Sequence, residues 1–194
     1  MNFCRTYSIV EDSVDSISRI PRGSSNFKTH SFSNAFRLSD YQIIVRINSA
    51  AQTYQFVAYR YLDHMTDAFI EVTGDTIDEA FENAGISVVD TIVDIKSVED
   101  KEDREIDLYA NDLKNLLYSW LEEIIILTIT DGFVGKTFHV KITKNDRYHL
   151  LAKVKGEEIN FEKHHFKMEI KAPTYHLMEI KEEKPVLMQF ILDL

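Results

Sequence analysis

After Asp131-Gly132 the spacing of apolar residues drops to two and stays there, which limits the chain to folds that end in antiparallel strands. Val134, Phe138, Val140 and Ile142 mark one strand, and Asn145-Asp146 turns it. Tyr148, Leu150, Ala152 and Val154 mark the next, with a turn at Gly156. Phe166, Met168 and Ile170 predict a further strand, and residues 175–180 another after Pro173. Proline cannot donate to a ladder, so Pro173 requires an edge or a bulge. The last segment, PVLMQFILDL, is apolar on both faces until Asp193, which predicts a central strand.

Ahead of this break the period is helical. In NDLKNLLYSWLEEIIIL, residues Leu113, Leu116, Leu117, Trp120, Leu121 and Ile124 form a wide stripe, capped by Asn111 or Asp112. Earlier, 60–64 and 69–73 read as strand pieces, and 105–109 as another. Between the first two and the third lies a helix over 76–90, with Ile77, Ala80, Phe81, Ala84 and Val88 on one face. Thr76 and Glu79 write its start as a capping box, in which each side chain satisfies an otherwise orphaned N–H. Gly85 weakens the last turn of this helix by its backbone freedom. Two helices packed on a mainly antiparallel sheet give an α+β domain over 58–194.

Residues 1–57 stand apart. They hold ten of the thirteen serines and carry about +2, so the remaining residues carry about −12 of the −10 total. The stretch 22–36 has neither period and reads as loop, while Tyr41–Asn48 suits a short strand. This segment is expected to be a poorly structured N-terminal extension, either flexible or the product of a misplaced start codon.

The same charge argues against direct nucleic-acid binding, which relies on Lys and Arg replacing backbone counterions. One cysteine, Cys4, excludes a disulfide framework and a cysteine-based zinc site, and suits a reducing, cytoplasmic setting. No run of residues is long and apolar enough to span a membrane, and the first residues lack a signal-peptide core.

Candidate chemistry is sparse. Asp63, His64 and Asp67 cluster at a strand end, where they are either a satisfied polar edge or oxygen and imidazole ligands. Asp193 and the Leu194 carboxylate set two anionic groups at the end of the last strand, a donor type that hard cations prefer. His164 and His165 are expected at the surface, and His176 lies beside Tyr175 in a strand of unknown orientation. No nucleophile system and no glycine-rich phosphate loop is present.

The block Asp63-His64-Met65-Thr66-Asp67-Ala68-Phe69-Ile70, then Gly74-Asp75-Thr76, then Glu79-Ala80-Phe81-Glu82 resembles the opening motif of the archease family. The likeness continues through Leu116-Leu117-Tyr118-Ser119-Trp120-Leu121, Asp131-Gly132-Phe133-Val134, Gly156-Glu157, His164, Lys171-Ala172, Thr174-Tyr175-His176 and the ending Phe190-Ile191-Leu192-Asp193-Leu194. Phe69 stands where the family pattern has glycine, and would be strained if the backbone there needed a positive φ. The resemblance implies a non-enzymatic activator of the RtcB-type tRNA-splicing RNA ligase, promoting its guanylylation and multiple turnover. It implies a divalent cation, Ca²⁺ being the expected ion, on Asp67, Asp193 and Leu194. Asp63, His64 and His176 would support that site or contact the partner. The rival reading is a chaperone that keeps other RNA-processing enzymes, such as a tRNA methyltransferase, from aggregating. A third, metal-assisted phosphoester hydrolysis by the chain itself, lacks a basic group placed for phosphate.

Overall fold

The computed structural model describes the backbone of residues 34–38, 41–48, 53–62 and 67–194, and the side chains of 59–62 and 67–194. Strands β1 (Asn34–Leu38), β2 (Tyr41–Asn48), β3 (Thr53–Leu62), β4 (Ala68–Gly74), β8 (Ala172–Lys181) and β9 (Val186–Asp193) form one antiparallel sheet in the order β1-β2-β3-β4-β9-β8. Strands β5 (Glu102–Ala110), β6 (Phe133–Lys144) and β7 (Tyr148–Glu158) form a second, in the order β5-β7-β6. Two helices, α1 (Ile77–Ile92) and α2 (Leu113–Ile125), bridge the sheets: α1 lies against β4 and β6, α2 against β8 and β5.

Helix α1 starts as its sequence dictates. Thr76 Oγ1 accepts from the Glu79 N–H at 3.2 Å, and Glu79 reaches back to the Asp75 N–H at 2.8 Å, one residue beyond the cap. The helix does not weaken at Gly85. A Cβ there would stand 3.0 Å from the Phe138 ring and 3.1 Å from Trp120. The glycine is what lets these two rings meet edge to face against the helix. Trp120 is fully buried and donates its indole N–H to the Phe81 carbonyl at 2.8 Å. Asp112 caps α2 through the Asn115 N–H at 2.8 Å, and a π-helical turn over Ile126–Thr130 closes it.

Two acids of α1 cover the open edge of β6. Glu82 accepts from the Val140 N–H at 2.9 Å and Asp78 from the Ile142 N–H at 3.0 Å. An edge strand left bare would invite pairing with another chain, so these carboxylates are structural.

Strand β9 sits between β4 and β8, central as its two apolar faces predict. Strand β8 is the sheet's edge, which accommodates Pro173 opposite Leu192, and its register with β9 breaks beyond it, between Thr174 and Glu179. Phe69 pairs with Ile191 in the regular ladder, without a positive φ. Tyr41–Asn48 forms the strand expected of it, with Asn34–Leu38 on one side and β3 on the other. One expectation changes. Residues 166–170 form no strand: the Lys167 and Met168 N–H groups both point at the Ile92 carbonyl, and among the described residues no strand pairs with this stretch.

Candidate functional site

Strand register assembles the site. Ala68 pairs with Leu192, Phe69 with Ile191 and Ile70 with Phe190. Asp67, in a bend, immediately precedes the first pair of this ladder and Asp193 immediately follows it, so both adjoin the same end of the sheet. On the other side of β9, Ala172 pairs with Asp193, which brings Lys171 alongside Leu194. Residues more than a hundred positions apart thus meet at one sheet end because β9 is the shared neighbour of β4 and β8.

Lys171 binds this end twice. Its N–H donates to the Asp193 carbonyl at 2.8 Å. Its ammonium donates to the Leu194 main-chain oxygen and lies 3.9 Å from Asp193 Oδ1. The Asp193 side chain is 56% exposed, whereas Leu194 packs against the core and holds the chain end in place. The donors are all oxygen and anionic, and a cationic group already rests on two of them. That arrangement fits a hard cation. Among the described residues no cluster of three or more His, Cys, Asp or Glu side chains is placed to hold a metal. A cation here would therefore draw a ligand from the main-chain oxygen of Leu194 beside the two aspartates.

The remaining expected residues scatter. Asp63 and His64 lie outside the described residues. His176 is exposed in the β8 bulge, where its N–H donates to Thr174 Oγ1 at 3.2 Å, beyond the ladder that positions Asp193.

His164 corrects the surface expectation. It is fully buried. The Asn160 N–H donates to its Nδ1 at 3.0 Å, which leaves Nε2 to donate to Glu157 Oε1 at 3.2 Å. Glu157 also takes Lys163 at 2.6 Å, Lys101 at 2.7 Å and the Glu99 N–H at 2.8 Å. Burial works to raise the Glu157 pKa, but these lysines, the amide and His164 outweigh it and hold the carboxyl at about 2. A second buried acid, Asp90, accepts from the Tyr59 hydroxyl at 2.6 Å and pairs with Lys167 at 3.0 Å. Burial and the neighbouring Asp90 push the Tyr59 hydroxyl far above its ordinary range.

Sequence reasoning singled out none of Lys171, Glu157 or Asp90 as a site residue. The signals for Lys171 were the family-like Lys171-Ala172 pair and its place immediately before the strand that pairs with the last one.

Comparisons with known proteins agree on one assignment. Residues 59–194 match the Archease protein family. Protein archease of Pyrococcus abyssi is 42% identical over 125 residues, covering 64% of this chain and 88% of the relative. Protein archease of Thermococcus gammatolerans is 38% identical over 139 residues, 70% of this chain and 98% of the relative. The solution structure of Methanobacterium thermoautotrophicum protein 1598 superposes with a TM-score of 0.61 at 36% identity, covering 70% of this chain and 98% of that one.

Proposed function

The chain belongs to the archease family, known in general for activating the tRNA-splicing ligase, and from that premise we propose that it activates an RtcB-type RNA ligase by promoting its guanylylation through contact. The observation that supports this reading is the β4–β9 register, which ends at Ala68 and Leu192 and so leaves Asp67, Asp193 and Leu194 adjoining one end of the sheet. Carboxylates gathered at one end of a sheet repel. A divalent cation, Ca²⁺ first, relieves that repulsion when bound and ties the start of β4 to the end of β9. Asp67, Asp193 and the Leu194 oxygen hold it. Lys171 supplies positive charge to the same oxygens in its absence. The chain acts as an activator rather than a catalyst, the role for which its family is known.

The test is guanylylation of the cognate ligase with and without this protein, in Ca²⁺ and in chelator. Wild type raises the guanylylated fraction and the number of turnovers. Asp67→Ala and Asp193→Ala remove that gain while circular dichroism stays native. Normal activation by both variants would sink the proposal.

A further inference from the structure

Strand β8 carries the Thr174-Tyr175-His176 motif into a bulge. Pairing with β9 stops at Thr174 with Ile191 and resumes at Glu179 with Gln189, so residues 175–178 stand opposite Phe190 alone. Within the bulge Leu177 takes a φ of +55°, in the left-handed region that a side chain of this size seldom adopts. Bulges re-aim side chains, and this one sets Tyr175 against α2. The Tyr175 ring stacks on Tyr118 at 4.4 Å, with 6° between the planes. Its hydroxyl donates to Asn115 Oδ1 at 2.8 Å. Asn115 and Tyr118 are one turn apart on the same helix, so the ring is fixed in place before any partner arrives.

Tyr175 borders an open groove of about 480 Å³ between the start of α2 and β8. Leu113 and Ile180 line it with apolar surface, and Asp112 and Glu182 with carboxylates, against the one cation Lys114. The neighbouring cations are turned elsewhere: Lys181 to Glu179 at 3.8 Å, and Lys144 to the Tyr148 hydroxyl at 2.9 Å. Among the described residues Glu182 forms no ion pair, and no cation lies over the Tyr175 ring. Partial burial raises the Tyr175 hydroxyl above its ordinary pKa, and Tyr118, Asp112 and Glu122 add to the shift. A second tyrosine of this molecule shows what completes such a ring. Tyr109, on β5, is 49% exposed, close to the 52% of Tyr175. His149 stacks on it at 4.2 Å and the Arg147 guanidinium lies over it at 4.4 Å, so an imidazole and a guanidinium take its two faces. Tyr175 has the stacked ring and lacks the guanidinium.

We propose that this groove receives an arginine side chain of the RNA ligase, its guanidinium stacked on Tyr175 and paired with Glu182. The identity of the partner rests on the ligase reading above; the chemistry of the groove does not. Arginine matches the groove in each of its parts. Its planar head stacks on an aromatic face, its charge meets a carboxylate, and its aliphatic stem covers Leu113 and Ile180. A nucleobase would stack on the same ring, but its phosphate would enter a groove where carboxylates outnumber cations.

The experiment has two arms on the full-length chain. In the first, the ring protons of Tyr175 and Tyr118 are followed by NMR as a Gly-Arg-Gly peptide with blocked termini is added. Saturable shifts are expected, with Gly-Lys-Gly binding at least about threefold more weakly. No shift with the arginine peptide, or equal binding of the lysine peptide, overturns the guanidinium site. Shifts with guanosine 5′-monophosphate in place of the arginine peptide assign the ring to a nucleobase and overturn it too. In the second arm, calorimetry measures affinity for the purified cognate ligase. Tyr175→Leu and Glu182→Lys are each expected to weaken binding at least about fivefold, and Tyr175→Phe, which keeps the ring, by no more than about twofold. Wild-type affinity in the first two variants, with wild type itself binding, overturns the ligase as occupant and leaves the ligase reading standing. Failure of wild type to bind the ligase overturns that reading, while the peptide arm still decides the chemistry of the groove.

Discussion

Two clusters in this molecule set carboxylates against lysines, and they differ in what is left over. At Glu157 the carboxylate is nearly buried, and its oxygens are filled by two ammonium groups, an amide and an imidazole. At the end of β9 one ammonium is shared between Asp193 and Leu194, with the Asp193 side chain more than half exposed. A satisfied, buried acid is a fixed part of the fold. An exposed carboxylate such as Asp193, with one distant ammonium, can exchange its counter-ion. Residue types do not distinguish the two; solvent access and the count of donors do.

The comparison breaks first at Glu157. Replacing it with Ala leaves His164 buried without its acceptor and strips two lysines of their partner. The expected loss is about 2–3 kcal/mol, at the lower end for a broken buried pair because both lysines keep contact with water. Urea melts check it, and a loss under about 0.5 kcal/mol would move Glu157 into the class of dispensable surface acids. Asp193→Ala in chelator is the control. It removes an exposed, weakly paired carboxylate, so stability should change by no more than about 0.5 kcal/mol in either direction.

The pH dependence separates the clusters next. Glu157 has its folded pKa lowered to about 2 from an ordinary 4.5. Its contribution is therefore complete above about pH 4.5 and is lost as pH falls toward 2. Melting temperature should decline across that window in wild type and decline less in Glu157→Gln, which starts lower. Parallel curves for the two proteins would mean that another acid controls acid unfolding.

Most of the elements were legible because they are local. The Leu113-to-Ile124 stripe, the Thr76–Glu79 cap and the two-faced apolar run before Asp193 each announce themselves within a dozen residues, and each sits where its pattern places it. Pro173 even named its strand as an edge. Alternation at Phe166, Met168 and Ile170 misled for an equally physical reason: a period of two says that side chains alternate, not that a neighbouring strand exists to pair with. The burial of His164 depends on Glu157 across the turn between them, and the edge-capping by Asp78 and Glu82 depends on β6, more than fifty residues on. No local period encodes such partners. The anions of the candidate site, Asp67 and the Asp193-Leu194 end, were visible as residue types, but only the motif resemblance joined them, and Lys171 entered once the β8–β9 register was known.

The smallest predicted effect tests the open cluster most directly. Lys171 Nζ and a bound cation would compete for the Leu194 oxygen and Asp193. The lysine side chain is 66% exposed, so the pair is screened and adds little to stability. Lys171→Met keeps the aliphatic stem and removes only the competitor. Its melting temperature in chelator should match wild type within a degree or two, while Ca²⁺ binds several-fold tighter by calorimetry, with a weaker dependence on monovalent salt. Tighter binding would establish the ammonium as an exchangeable counter-ion. Weaker binding would mean instead that Lys171 holds the Leu194 oxygen in position for the cation, which would make this end as pre-formed as the Glu157 cluster and erase the distinction between them.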